Sequence, residues 1–266
     1  MIDLLAGLLL LTGVYPLAQA LRANRHTTLW QPLLWALLAW AAWTGAAWNR
    51  VLCPGENEQL ACYGALCLTG CAGVAVLGAR RPGVAAWNFV VVGLLAVLLL
   101  PVLNGLGEPH LEAMHWLFLG VTLAVPILNY LPTRLSLAAV LLAAGCGCEM
   151  AVLLGAAPQA MHSTGMGCLG ISPWAAAFFR GRAVGTAFDR LWLAYRDRFG
   201  FVWGQRMREQ FNRAAHHAGW LVTLRWHGLH AAAPEPVPDP AELLALLRAV
   251  LKRFGPEEDQ PRTEPH

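Results

Sequence analysis

Six long apolar runs, separated by short polar stretches, make up most of the first two thirds of the chain. They cover residues 2–21, 28–48, 59–77, 84–103, 113–131 and 135–156. The hydrocarbon core of a bilayer is about 30 Å thick, and a helix needs roughly 20 apolar residues to cross it. Each run therefore predicts a transmembrane helix, and the polar stretches that contain Pro or Gly predict the turns between them.

A seventh apolar stretch, residues 163–179, contains Pro173 and is shorter than most of the others. It predicts either a crossing or a segment that enters the bilayer and returns. Cytoplasmic loops near spans retain Lys and Arg. Seven crossings with the N-terminus outside put nearly all arginines before residue 226 on the cytoplasmic side and leave Arg50 alone outside. This arrangement is favoured over six crossings.

The pattern changes after residue 179. Apolar and aromatic residues between positions 188 and 214 recur every three to five residues among arginines. This spacing predicts an amphipathic helix, or a pair of helices broken near Gly200 and Gly204. Residues 180–230 thus form an Arg-rich juxtamembrane region, in which residues 220–226 predict a short strand.

The C-terminal residues predict one more helix. Residues 231–238 form a Pro/Ala linker, and Asp239 followed by Pro240 is a typical helix start. The helix is expected over residues 239–255, and residues 256–266 are expected to be disordered. The predicted fold class is therefore all-α: a transmembrane helical bundle over residues 1–179 that carries a small, mostly helical cytosolic domain.

Composition supports a membrane protein built in two parts. Hydrophobic residues make up 57% of the 266 positions and charged residues 13%, with a mean hydropathy of +0.47, values that are atypical of a soluble domain. Residues 1–179 hold six Lys/Arg and six Asp/Glu, whereas residues 180–266 hold thirteen and ten. Arg, Ala and Gly are abundant and Lys occurs once, a bias from which we expect a bacterial cytoplasmic membrane.

Glu149 is the one ionisable side chain deep inside a predicted span. A carboxyl group in hydrocarbon is expected to stay protonated, to pair, or to line a water-filled cavity. Asn88 and Asn104 are candidate polar partners within the bilayer. This set predicts a secondary transporter or channel that uses Glu149, and a protonated Glu that bonds two helices is the plainer alternative.

Histidines suggest a second kind of site. His110, Glu112 and His115 precede or open the fifth span, and His162 precedes the seventh, so the favoured topology puts all four on the outer side. Imidazole and carboxylate groups are ligands for transition metals, and imidazole also ligates haem. The sequence therefore offers a metal- or haem-handling function as a hypothesis, against the plainer one that these residues occupy the polar interface.

Cysteines offer one candidate bond. Cys53 and Cys62 flank a predicted outer turn, so they are a candidate disulfide where the compartment is oxidising. The five other cysteines lie in or near apolar spans, where Cys usually packs as a small hydrophobic residue.

Between residues 180 and 225, nine arginines stand against three acidic residues. Such a segment beside a membrane attracts anionic lipid. The residues expected to face lipid or a protein partner are Arg180, Arg182, Arg190, Arg196, Arg198, Arg206, Arg208 and Arg213. Nucleic acid is not an expected partner, because the net charge is only +3 and no binding motif accompanies the arginines.

Phosphate-binding loops, dinucleotide fingerprints, HExxH and GxSxG motifs are all missing from the sequence. No catalytic residue is predicted, and an enzyme is not favoured. The leading hypothesis is accordingly a structural or assembly component of the membrane, with the transporter and the metal- or haem-handling protein as alternatives.

Overall fold

The structure is a computed structural model that describes residues 2–55, 57–80, 84–104, 112–179, 185–231 and 238–254. These residues form nine helices, a two-stranded hairpin and a final 3-10 turn. The elements are α1 (Ile2–Ala23), α2 (Trp30–Leu52), α3 (Glu58–Leu77), α4 (Val84–Asn104), α5 (Ala113–Tyr130), α6 (Ser136–Leu153), α7 (Ala160–Phe179), α8 (Ala187–His217), β1 (Val222–Arg225), β2 (Gly228–Ala231), α9 (Pro240–Leu251) and the turn Lys252–Phe254. Most of the predicted linker and the predicted disordered tail lie outside the described residues.

Six of the helices form a ring. α2 contacts α1 and α3, α7 contacts α1 and α6, and α5 closes the ring between α3 and α6. α4 lies outside the ring against α3.

Tryptophans join α2 to α1, α3 and α4. The three mid-span tryptophans of α2 donate hydrogen bonds from their indole nitrogens to other helices: Trp35 to Asn88 at 2.7 Å, Trp40 to the Leu10 carbonyl at 2.7 Å and Trp43 to Thr69 at 2.9 Å. Gly13 lets Trp40 approach α1, because a Cβ at that position would lie 2.5 Å from the indole ring. The polar edge of each buried indole thus has a partner, as buried Trp requires.

Five helices, α1, α3, α4, α5 and α6, are long and apolar enough to cross a membrane. α2 and α7 are not among them, because α2 carries five tryptophans together with Gln31, Asn49 and Arg50, and α7 begins with the polar run His162 to Thr164. The prediction of a multi-pass helical membrane protein is confirmed. The sixth and seventh crossings stay predictions.

Polar side chains from four helices and a turn meet at one end of the ring. Arg50, near the end of α2, pairs with Glu58 at the start of α3 and lies 3.7 Å from Asp3 at the start of α1. Gln159 donates to Glu58 at 3.1 Å, and Ser163 donates to Asp3 at 3.1 Å. We call this end of the bundle the Asp3 end.

α8 covers the opposite end, which we call the α8 end. Trp203 donates to the Val76 carbonyl at 3.3 Å, and the guanidinium of Arg80 lies 5.8 Å from the centre of the Trp203 ring. Trp226 donates to the Pro132 carbonyl at 2.7 Å. The C-terminal unit, residues 185–231 and 238–254, is therefore held against the last turn of α3 and the turn that follows α5 by aromatic side chains.

α8 is broken at one of the two predicted positions. Gly200 has φ +78°, a conformation that favours glycine, whereas Gly204 is helical. Asn129 of α5 fills the break: its Nδ2 donates to the Phe199 carbonyl at 3.3 Å and its Oδ1 accepts from the Val202 amide at 3.0 Å. The break thus anchors α8 to the bundle.

The rest of the C-terminal unit packs on α8. The predicted strand is β1, which pairs antiparallel with β2; the sequence pattern does not reveal β2. Asp239 caps α9 by accepting from the Ala241 amide at 3.0 Å, as predicted. The apolar stripe of α9 is buried through Leu243, Leu247 and Leu251.

The prediction of a surface position is wrong for one arginine. Arg196 is only 3% exposed, donates to Asp197 at 2.6 Å and donates to the Trp226 carbonyl at 2.9 Å. It faces the hairpin because it lies on the side of α8 that carries Trp192 and Phe199, so it stabilises the fold. The other predicted basic residues divide as follows: Arg190, Arg198, Arg206 and Arg213 are exposed, Arg208 is half-buried, and Arg180 and Arg182 lie outside the described residues.

Candidate metal centre

Glu149 lies in the last part of α6 with only 1% of its surface exposed. Its Oε2 forms a 2.8 Å hydrogen bond with Nδ1 of His162, which lies in the first turn of α7 and is itself 3% exposed. Its Oε1 has no hydrogen-bond partner among the described residues. A buried carboxyl oxygen without a partner is costly, so this atom is a candidate ligand.

Cys62 of α3 completes a group of three. The Sγ of Cys62, a carboxylate oxygen of Glu149 and a ring nitrogen of His162 all lie within 4.8 Å of one another. All three side chains are buried. We call them the Cys–Glu–His cluster; it brings together a residue from each of α3, α6 and α7.

Two glycines allow α7 to lie this close to α6. A Cβ on Gly165 would stand 2.6 Å from Oε1 of Glu149, and a Cβ on Gly145 would stand 2.5 Å from Cγ of Leu169. Small residues at helix contacts let membrane helices approach closely. The local sequence therefore favours a tight α6–α7 contact and directs Glu149 toward His162.

A cavity of about 390 Å³ connects the cluster with the Asp3 end. Its walls include Asn57, Glu58 and Gln159 near the mouth and all three cluster residues. Asn57 has φ +52° and precedes α3 directly, so the α2–α3 turn shapes this mouth. Glu58 is held there by Arg50 and Gln159. Water and small cations therefore have a polar route to the cluster.

The donor set matches the preferences of zinc. Thiolate sulfur, imidazole nitrogen and carboxylate oxygen are its usual ligands, and three protein ligands leave a fourth position open. Zinc–ligand bonds of about 2.0–2.3 Å separate the ligand atoms of a tetrahedral site by roughly 3.3–3.8 Å. Small side-chain shifts would bring the cluster atoms to that spacing. Donor atoms that lie within 4.8 Å of one another fit a single ion rather than the flat ring of haem.

Those of the other histidine-site candidates that the structure describes do not join this cluster. His110 lies outside the described residues. Glu112 is exposed just before α5, and His115 is half-buried in its first turn. The only metal-ligand group found in the described part of the chain contains His162 without Glu112 or His115. The predicted set of four is therefore divided, and His162 pairs with Glu149 instead.

The structure also differs from the sequence prediction for the polar partner of Glu149 and for the disulfide partner of Cys53. Asn88 accepts from Trp35 rather than pairing with Glu149, and the Asn104 side chain lies outside the described part. Cys53 is an exposed free thiol and Cys62 a buried one, so the candidate disulfide is not formed in the structure. Cys62 is the candidate ligand that sequence reasoning missed. The one feature of the sequence that could have drawn attention to Cys62 is its position four residues after Glu58, which places both side chains on one helix face.

Fold and site together define a multi-pass helical membrane protein with a buried Cys–Glu–His cluster at the base of a polar cavity. Comparison with known protein families, curated proteins and solved structures finds no match to the chain. The function therefore has to be inferred from the site itself.

Proposed function

We propose that this protein binds one divalent transition-metal ion, with Zn²⁺ the best match, at Cys62, Glu149 and His162. The observation that carries the proposal is that these three buried ligand atoms lie within 4.8 Å of one another, beside an unpartnered Oε1. A glutamate that served only to join α6 and α7 would need no partner other than His162. The thiol, the open cavity and the unpartnered oxygen are explained together by a metal ion.

We infer further that α2 and α7 also cross, which gives seven crossings with the N-terminus outside and the C-terminal unit in the cytoplasm. The distribution of arginines supports this topology, because Arg80 and Arg134 contact α8 whereas Arg50 lies at the Asp3 end. The membrane would be a bacterial cytoplasmic membrane, and the metal would be captured from its outer side.

A transporter is the weaker alternative for Glu149. Beyond the cluster, toward the α8 end, the next side chains of the three helices are Leu66, Cys146, Met166 and Leu169, all of which are buried. An ion in transit would have to pass this layer, whose side chains offer the sulfur atoms of Cys146 and Met166 but no charged ligand. Binding, rather than passage, is therefore the function we propose for the cluster.

Zinc binding by purified variants tests the proposal. The full chain, with its affinity tag removed, would be dialysed in mild detergent against buffered Zn²⁺, and bound zinc would be measured by elemental analysis. The wild type should hold one zinc. C62S, E149Q and H162A should each bind more than about 100-fold more weakly, because losing even an outer partner of a zinc ligand costs 10–100-fold.

Cys71→Ser is the matched control. Cys71 is a fully buried thiol on the same helix as Cys62, and its Sγ contacts the Val91 carbonyl rather than the cluster. It should bind zinc like the wild type. A wild type without zinc, or a C62S variant that binds as tightly as the wild type, would overturn the proposed function.

The assembly role stays a prediction beside the metal site. The exposed arginines of α8 support a surface for lipid or a protein partner. Metal binding by the isolated protein would show that the cluster works without such a partner.

A further inference from the structure

A second cavity, of about 510 Å³, lies inside the ring toward the α8 end. Its walls are mostly apolar and include Leu33, Trp40, Trp43 and Leu142. The buried layer of Leu66 and Leu169 lies between it and the Cys–Glu–His cluster. A volume of this size is typical of ligand pockets, which span about 300–1,000 Å³ and are lined largely by apolar and aromatic side chains.

The α8 side of this cavity is polar and basic. Arg134, Asp197 and Arg198 belong to its lining. Asp197 lies 3.8 Å from Arg134 and 2.6 Å from Arg196, so this one carboxylate faces two guanidinium groups, and Arg198 adds a further positive charge to the lining. This end of the cavity therefore carries net positive charge, and the exposed Arg198 stands at its edge.

An apolar chamber with a cationic rim fits an amphiphile with one negative head. Arginine recognises carboxylates through paired, charge-assisted hydrogen bonds. A single alkyl chain suits a cavity of about 510 Å³ that is lined by helices of the ring, whereas a lipid with two chains would have to leave one of them outside it. The size of the cavity therefore favours a single-chain ligand over a phospholipid.

We propose that this cavity binds a long-chain fatty acid, with its alkyl chain among Trp40, Trp43 and Leu142 and its carboxylate at Arg198 and Arg134. The site is separate from the Cys–Glu–His cluster and does not depend on it. Tyr130 donates to the backbone carbonyl of Arg198 at 2.9 Å, a contact that fixes the α8 backbone whatever side chain stands at position 198.

Binding of radiolabelled palmitate to the purified full chain in neutral detergent tests this. Two variants address the two ends of the ligand. Ala138→Trp fills the chamber from α6, since Ala138 lines it, and Arg198→Gln removes a rim charge. We expect A138W to abolish measurable binding and R198Q to weaken it about tenfold, the size of one charge-assisted hydrogen bond.

Matched controls lie on the same helices. Ala144 of α6 and Arg213 of α8 are exposed and do not line the cavity, so A144W and R213Q should bind palmitate like the wild type. Thermal unfolding of all four variants shows whether each is folded. If A138W does not fold, R198Q tests the proposal.

Methyl palmitate and an anionic phospholipid serve as competitors. Little competition by either supports the proposal. Equal competition by the uncharged ester would overturn the role of the arginines, and equal competition by the phospholipid would overturn the single-chain assignment. Palmitate binding that is the same in A138W, R198Q and the wild type would overturn the site altogether. None of these outcomes depends on zinc, so they leave the metal proposal to its own test.

Discussion

Glu149 and Tyr195 each bury a polar oxygen that has no partner among the described residues. Such an atom costs about 1–3 kcal/mol relative to a hydrogen-bonded one. The carboxylate of Glu149 adjoins two further candidate metal ligands and a polar cavity. The hydroxyl of Tyr195 lies on a side chain that stacks on Phe199 and makes an edge-to-face contact with Phe254. The surroundings of the two oxygens therefore differ. The Glu149 oxygen is interpreted as a candidate metal ligand, whereas the Tyr195 hydroxyl is interpreted as a polar group that only lowers the stability of the fold.

Tyr195→Phe tests the second interpretation. The variant removes the unpartnered hydroxyl and keeps the aromatic contacts, so its free energy of unfolding should rise by about 1 kcal/mol. Thermal or denaturant unfolding in detergent measures it. A variant that is less stable than the wild type would show that the hydroxyl has a stabilising partner.

The same residue makes stability depend on alkaline pH. Burial raises the pKa of the Tyr195 hydroxyl, whereas a tyrosine in the unfolded chain ionises near pH 10. Above about pH 10 the unfolded state loses its proton first, so the free energy of unfolding falls as pH rises. Below pH 10 this contribution is fully present. The fall should be shallower in Y195F than in the wild type.

Single residues could be selected from the sequence, but not their contacts. Glu149 stands out because it is charged within an apolar run, and His162 because imidazole is a common ligand. Cys62 stands out in the sequence only as a candidate disulfide partner of Cys53. The three meet because α6 packs against α7 and also contacts α3 across the ring, and these contacts are not encoded in any local pattern.

At the level of elements, the α6–α7 contact determines the site. Gly165 faces Glu149 and Cys148 across this contact, and a Cβ there would lie 2.6 Å from Oε1 and 3.0 Å from Cβ of Cys148. An added methyl group would push α7 away from α6, and overpacking of this kind costs about 1–3 kcal/mol.

Gly165→Ala should therefore lower the unfolding temperature and weaken zinc binding together. Gly147→Ala is the matched control, since Gly147 of the same helix pair is exposed and a Cβ there would meet nothing within 4 Å. It should behave like the wild type in both measurements. Equal effects of the two substitutions would show that close approach of α7 does not shape the cluster.

The local sequence predicts some of the C-terminal elements better than others. α9 has a cap, a proline at its first position and a clear apolar stripe, so its start could be read directly. β1 is marked by Val222 and Leu224, whereas β2 reads Gly-Leu-His-Ala and lacks a strong strand signal. It is a strand because β1 supplies its hydrogen bonds, and such pairing is a property of two segments rather than one.

For the whole molecule, the two ends of the ring differ in chemistry. The Asp3 end carries a polar network and opens to the Cys–Glu–His cluster, and the α8 end carries the basic C-terminal unit. The sequence predicted the membrane class because hydropathy alone decides it. α2 and α7 fall short of that criterion because they carry the polar and aromatic residues of the ring.

Reporters of membrane sidedness test the inferred seven crossings. A reporter inserted after Ala156, in the turn between α6 and α7, should lie outside the cell, and one fused to the C-terminus should lie in the cytoplasm. A reporter after Glu112 should lie outside as well. If the Ala156 and C-terminal reporters lie on the same side, α7 does not cross and the topology must be revised.

The Zn K-edge X-ray absorption spectrum of the zinc-loaded full chain tests the central claim most directly. Ligation by Cys62, Glu149 and His162 predicts one sulfur at about 2.3 Å and nitrogen or oxygen neighbours at about 2.0–2.2 Å. The sulfur shell should disappear in C62S and persist in C71S. A zinc site surrounded only by nitrogen and oxygen in the wild type would contradict the account.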